Sequence, residues 1–363
     1  MSRNAQFFSQ WTPLRLPWFL HLTALLLAGG LLPAAAEPPA VPASTVAPAT
    51  INSRVVIAQD NAATHELVPD AGVIQGMVDH AITNLTDAKS LNAAWLNLVT
   101  TQDTVGIKVF SQPGAYAGTR PAVVTAVVKD LLAAGLPPQH IIVWDKRLID
   151  LRLAGYLELA GKYGIRILGA TEAGWDASTN YESSVLGTPR WGDLEFGETG
   201  DHIGRRSYVT KILTHEVTKI INIAPLMHHN QAGVSGCLYS LATGSVDNTF
   251  RFERSPEVMA RSLPEIYALG IVGDRVVLSI VDALICQYEG EQRGLLHYSA
   301  LLNELRFSRD PVALDALSLK EIETQRQLAG ERAPKLGAEL LDNAALLELG
   351  LADLRRIPVF RLP

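Results

Sequence analysis

An α/β protein with a mostly parallel sheet and flanking helices is what this sequence predicts, on three observations. Of its 363 residues 48% are apolar and only 19% charged, enough to bury a large core and too apolar for disorder. Short β-branched runs alternate with stretches of helical apolar spacing. The joints between them are short, which makes repeated strand, helix, strand succession a series of parallel βαβ units.

The first 36 residues read as an export signal and not as part of the fold. Arg3 and Arg15 give a basic start, no acidic residue precedes Glu37, and Leu16 to Leu32 is nearly unbroken apolar sequence. Ala34-Ala35-Ala36 then supplies the small residues of a cleavage site, so the mature chain is expected to begin at Glu37. An uncleaved anchor is the weaker reading, because the stretch is short and contains Pro17, His21 and Gly29-Gly30. The expectation is a periplasmic or secreted protein with no stable membrane anchoring after cleavage. Removing two arginines and no acid leaves 29 basic against 37 acidic residues, with no long basic run, which argues against nucleic acid as a partner. Residues 37–50 are rich in Pro, Ala, Ser and Thr and read as a flexible tether, followed by a single domain over 51–363.

Within that domain the spacing predicts a strand at Arg54 to Ala58, a helix at Ala71 to Leu85 and a strand at Val105 to Phe110. Pro121 opens a helix that Gly135 ends. A strand at His140 to Trp144, a helix at Leu148 to Tyr163 and a strand at Ile165 to Leu168 follow. Ala170 to Arg206 breaks the alternation with Gly, Trp and acidic residues and reads as an insertion on the sheet. Beyond it come a helix at Ser207 to Thr218, a strand at Lys219 to Ala224 and a helix at Ala232 to Leu241. A helix at Pro256 to Leu269, strands at Arg275 to Val281 and Glu304 to Phe307, and a helix at Pro311 to Leu328 complete the pattern.

Standard catalytic signatures are missing. There is no Gly-x-Gly-x-x-Gly after a strand, no phosphate loop and no nucleophile elbow, and His215-Glu216 lacks a second His at zinc-site spacing. Cys237 and Cys286 are the only cysteines, too few for an iron–sulfur cluster in this chain, so none is expected. They could form a disulfide in an oxidising compartment or remain two buried thiols.

The informative pattern is where polar residues fall. Parallel sheets bind ligands at the carboxyl ends of their strands. Lys108 lies near one such end, Asp145 directly after a second, His228, His229 and Asn230 after a third, Asp282 after a fourth and Asp310 after a fifth. Taken singly, each reads more readily as a helix cap, a turn residue or a solvated loop residue. Taken together, they predict that Asp145, His229, Asp282 and Asp310 line one pocket, with Lys108 as counter-charge. Carboxylates gathered this way would need a cation, so a divalent metal on His229 and Asp282 is a candidate.

Several stretches also carry a family resemblance. Val105-Gly106-Ile107-Lys108-Val109, the region from Pro121 to Val143-Trp144-Asp145, the run from Ile220 through His229-Asn230-Gln231-Ala232-Gly233-Val234-Ser235-Gly236, Ser279 to Ala283, and Asp310 to Asp315 occur in order and at matching spacing. Over residues 54–350 the chain thus resembles Domain of Unknown Function 362. Some relatives carry iron–sulfur modules, which implies redox or cofactor chemistry among them. The resemblance marks Asp145, His229, Asn230, Asp282, Asp310 and Asp315 as retained positions. It also marks departures: relatives tend to have Lys at Met227, Asn at Phe110, and Lys-Asn at Tyr239-Ser240.

Two functions are consistent with this reading. One is an exported enzyme in which His229 acts as acid, base or metal ligand and Asp145, Asp282 or Lys108 assists it. The other is a non-catalytic protein in which His228, Asn230, Asp310 and Asp315 help bind a small molecule.

Overall fold

The computed structural model describes residues 53–331 and 336–362, so the expected signal segment and tether lie outside the described residues. The chain opens with β1 (Val55–Gln59), a small hairpin of β2 (Thr64–His65) and β3 (Val68–Pro69), then α1 (Ala71–Thr86) and α2 (Leu91–Leu96). It continues through β4 (Val105–Val109), α3 (Pro121–Ala133), β5 (Ile141–Asp145), α4 (Leu148–Leu153), α5 (Leu157–Tyr163), β6 (Arg166–Gly169), α6 (Ala170–Ala173) and β7 (Trp175–Glu182). The second half comprises β8 (Arg206–Thr210), β9 (Lys219–His229), β10 (Gly233–Val234), α7 (Cys237–Ser245), α8 (Pro256–Tyr267) and β11 (Val276–Gln287). It ends with β12 (Ser299–Ser308), α9 (Pro311–Leu328), α10 (Ala338–Leu346) and β13 (Val359–Leu362).

The main sheet has the order β13-β1-β12-β11-β9-β4-β5-β6, with the short β10 beside β9. Along that path neighbours are parallel except where β12 meets β1 and β11, both antiparallel. The sheet is therefore mostly parallel, as the alternation of strand and helix implies, with one strand reversed. Burial on both faces explains the continuous apolar runs in Ile141-Ile142-Val143-Trp144 and Ile220-Ile221. One core packs α1, α2 and α3 against Val105, Ile107, Val109, Ile141 and Val143; the other packs α7, α8, α9 and α10 against Ile142, Trp144, Ile220 and Ala224. Side chains alternate along a strand, so Lys108 emerges among the second set, under α7.

Several expected elements take a different form. The helix expected over 148–163 is two helices, because Gly155 at φ +89° turns the chain between them. The helix expected over 207–218 is β8 followed by one π-helical turn, Ile212–Glu216. Tyr208, Val209 and Thr210 favour extended backbone, and β7 offers them an antiparallel partner. The apolar spacing there suits either form, and tertiary pairing decides it. Likewise β9 and β11 run five and six residues past their expected ends, and helix 232–241 is displaced to α7 by the β10 turn.

The insertion is a built wall, held by buried polar groups. Arg251, 1% exposed, donates to the backbone carbonyls of Tyr181, Val185 and Arg205. Asp193 accepts from the backbone N–H of Arg190 and Asn248, and Asp247 from Leu194 and Tyr208. Trp175 Nε1 donates to the carbonyl of Gly192 at 2.6 Å. Residues 190–193 are thereby fixed beside the ends of β5 and β6.

Candidate functional site

From β4 the chain proceeds outward to β5 and β6, whereas β9, on the other side of β4, leads to β11. Strand order therefore reverses between β4 and β9, and the crevice beyond their carboxyl ends is where an open parallel sheet can admit a ligand. Two adjoining cavities occupy it. The larger, about 640 Å³, is lined by Phe110 after β4, Asp145 and Lys146 at β5, Trp191 of the insertion, Tyr239 of α7, and Phe250. The smaller, about 270 Å³, is lined by His229, Gln231 and Arg293 together with Gln112, Glu253 and Gln292. Those last three line the larger cavity as well, so the two cavities adjoin across them as parts of one crevice region.

His229 ends β9 and is 5% exposed. Its Nδ1 accepts from the backbone N–H of Gln231 at 3.2 Å and of Ala232 at 3.1 Å. That occupancy assigns the proton of the neutral ring to Nε2, the nitrogen left for the cavity. Burial, and after it the neighbouring His228, hold the imidazole down to a pKa of about 4, so the ring is neutral at pH 7. Its ring centroid lies 4.4 Å from that of Tyr239, whose hydroxyl accepts from Gln292 at 2.6 Å.

Asp145 is fully engaged. One oxygen accepts from Ser111 N–H at 2.7 Å and Ser111 Oγ at 2.6 Å, the other from Lys146 N–H at 2.8 Å, and Lys108 Nζ is 2.8 Å from the latter. Lys108 has no exposed surface; it also donates to Val109 O and Ser240 Oγ, under Gly244, where a side-chain carbon would stand 2.1 Å from Lys108 Cε. Burial lowers the Lys108 pKa, and the adjacent carboxylate works against that fall. Lys146 points across the mouth, donating to the carbonyls of Thr243 and Val246 near the end of α7, with its ammonium 4.8 Å from the Trp175 ring centre. Burial lowers its pKa to about 8.

The expectation that Asp145, His229, Asp282 and Asp310 line one pocket is not met: Asp145 lines the larger cavity, His229 the smaller, and Asp282 and Asp310 neither. Asp282 sits inside β11, opposite Pro225, with no exposed surface. Its two oxygens take Arg120 Nη1 at 2.8 Å and Arg120 N–H at 2.9 Å, while Arg120 Nη2 donates to Tyr116 O. Asp282 therefore holds the β4–α3 loop from below, as Asp145 holds it through Ser111. Asp310 lies at the opposite edge of the sheet, because β12 runs against its neighbours. There it caps α9 through Ala313 N–H and also accepts from Ser53 Oγ and Leu351 N–H. Asp315 accepts from Cys237 and Leu238 N–H, capping α7. His228 is buried 3.8 Å from Glu289, and burial lowers its pKa to about 4; Asn230 is exposed in the turn after β9.

The candidate metal pair does not assemble. With His229 Nδ1 on backbone and Asp282 on Arg120, neither presents a ligand set, and among the described residues no group of three or more His, Cys, Asp or Glu could hold a metal ion. Cys237 and Cys286 are both buried free thiols.

Residues missed in the sequence supply much of the crevice. Ser111 and Gln112 come just after Phe110 in the turn beyond β4 and satisfy the strand-end criterion used for the others. Arg120 stands just before Pro121, the first residue of α3, where a buried acid partner is invisible to local pattern. Trp191, Phe250, Gln292 and Arg293 carry no sequence signal of a shared site.

A family model described as Domain of unknown function (DUF362) matches residues 105–320. The chain belongs to this family. The matched span runs from the first residue of β4 into α9 and includes the crevice, narrower than the 54–350 suggested by resemblance. Phe110 and Tyr239 line the crevice with rings 6.0 Å apart, and Ser240 contacts Lys108. No curated protein matches the chain. Among solved structures, the chain is similar to a crystal structure of a Thermotoga maritima protein, a structural genomics target, at 12% identity and a TM-score of 0.38. That similarity covers 72% of this chain and 59% of the other.

Proposed function

We propose that this chain is an exported small-molecule-binding protein whose ligand occupies the crevice beyond β4 and β9. The observation that carries this reading is the coincidence of the strand-order reversal with two adjoining polar and aromatic cavities, the larger of the size usual for small-molecule sites, roughly 300–1,000 Å³. Asp145 and Asp282 support it as positioning residues, since both spend their oxygens on the loop that carries Phe110 and Gln112. In this reading Lys108 neutralises Asp145, and Asp310 and Asp315 cap helices away from the ligand.

Native mass spectrometry of the purified mature protein tests this. Retention of a small molecule that Tyr239→Ala abolishes is the expected result, and a protein that retains and takes up no small molecule defeats the reading.

One observation favours an enzyme in the same crevice: the neutral His229 ring with Nε2 toward the cavity beside Tyr239. A neutral imidazole can donate a hydrogen bond or a proton to a bound carbonyl or hydroxyl oxygen. Conversion of the retained molecule by wild type, lost in His229→Gln while binding persists, separates enzyme from carrier.

Export rests on the basic, apolar and Ala-rich order of residues 1–36. Among the described residues, no helix is long and apolar enough to cross a membrane. N-terminal sequencing of exported protein is expected to start at Glu37; Met1 would count against cleavage.

A further inference from the structure

The lining of the crevice narrows the ligand class. Over the two cavities the lining carries both charges, four basic side chains and five acidic ones. Several of these charges are already spent within the protein: Arg147 on Asp150 at 2.9 Å, Glu172 on the Leu148 N–H, Asp193 on two backbone N–H groups. Lys146, Arg190 and Arg293 remain on the basic side, so charge does not select the ligand and the neutral lining groups carry the choice.

The smaller cavity is unusual for its amides. Gln112, Gln231 and Gln292 line it with His229, Glu253 and Arg293, and each glutamine side chain can both donate and accept. The carboxylate accepts, and the guanidinium and His229 Nε2 donate. Such a mixed set matches hydroxyl groups, each of which also donates and accepts. An apolar ligand would strip water from these groups and return no hydrogen bonds, which disfavours it.

The larger cavity adds flat apolar surfaces. Trp191 is 83% and Phe250 48% exposed, yet both belong to the crevice wall. Arg190 stacks 3.5 Å from the centre of the Phe250 ring. The segment carrying Trp191 is pinned by Asp193 and by the Trp175 to Gly192 hydrogen bond, so its backbone is fixed beside the cleft. An exposed aromatic on a rigid wall, next to a pocket of planar polar groups, suits a ligand with apolar C–H faces and equatorial hydroxyl edges.

We infer that the crevice binds a saccharide, with one sugar unit hydrogen-bonded among Gln112, Gln292 and His229 and a neighbouring unit stacked on Trp191. This rests on the small-molecule reading above and specifies its ligand.

The test uses the mature protein with maltotriose, cellotriose and chitotriose as saccharide probes, and inorganic phosphate and citrate as anionic ones, followed by calorimetry and tryptophan fluorescence. Saturable binding of at least one trisaccharide is expected, weakened about tenfold or more in Trp191→Ala, a change of about 1.4 kcal/mol. Gln292→Ala, at a partly exposed position, should weaken it too, with both variants keeping the wild-type unfolding midpoint. Trisaccharide binding untouched by either substitution would place the sugar elsewhere and overturn the inference. Phosphate or citrate binding in the crevice without any trisaccharide binding would overturn it while leaving the small-molecule reading intact. If neither probe class binds and the protein retains no small molecule, both fall.

Discussion

Asp145 and Asp310 look alike in sequence, each an acid at the end of a β-rich run, yet they serve opposite edges of the sheet. Asp145 follows a strand that runs with its neighbours and borders the crevice; Asp310 follows the one reversed strand of the main path and closes a helix end. The chemistry of the edges differs accordingly. At the crevice edge, acids meet cations in buried pairs, Lys108 with Asp145 and Arg120 with Asp282. At the far edge, Asp310 and Asp315 meet backbone N–H groups and a serine. A strand-end acid marks a ligand site only once the direction of its strand is known.

The sharpest way to break this comparison is to remove an acid from each edge. Asp282→Ala leaves the Arg120 guanidinium buried without its carboxylate, and equilibrium urea unfolding should show a loss of about 3–5 kcal/mol. The same variant should loosen the β4–α3 loop and weaken ligand retention. Asp310→Ala removes a cap and should cost roughly 1–2 kcal/mol, with retention unchanged. Equal losses, or a binding defect in Asp310→Ala, would erase the distinction between the edges.

Their pH responses should have opposite signs. Burial raises Asp315 to about 7 against an ordinary value near 3.8, so between these values the unfolded chain is the more deprotonated. Its contribution is fully present below about 4 and lost as pH rises toward 7. Burial lowers His229 to about 4 from 6.5, so between these values the unfolded chain binds the extra proton. That contribution is present above about 6.5 and lost as pH falls toward 4. Subtracting the stability of Asp315→Asn, and separately of His229→Gln, from wild type across pH 4–7 should give slopes of opposite sign. Each slope is at most on the order of 1.4 kcal/mol per pH unit. Slopes of the same sign would refute the assignment of one site or the other.

The smallest effect belongs to Trp191→Ala. An 83% exposed ring on a pinned wall contributes little to folding, and the expected change in stability is within about 0.5 kcal/mol. A large loss of stability would mean that Trp191 is a packing residue of the insertion and not a surface held open for a ligand.

Much of this architecture was legible from local pattern. α9 runs from Pro311 to Leu328 as its spacing and the Asp310-Pro311 start require, and α3 begins at Pro121 because a proline needs no N–H partner there. The parallel character of the sheet followed from short joints, and Asp145 and His229 were placed at strand ends because those ends are short-range features. The remainder depended on partners distant in sequence. Residues 207–210 became a strand because β7 paired with them. Asp282 proved to lie within β11 because β9 and β12 extend that strand on both sides, and Arg120, 162 positions away, took its charge. The reversal of β12, which sent Asp310 to the far edge, left no mark in hydrophobic periodicity, since a buried strand reads the same in either direction. The crevice itself drew Gln112, Trp191, His229 and Gln292 from four separate segments. Sequence therefore determined which residues could form strands, helices and caps, through local sterics and periodic burial. Tertiary structure alone decided which of their polar ends met a partner and which faced a cavity, because that choice depends on strand direction and on side chains hundreds of positions apart along the chain.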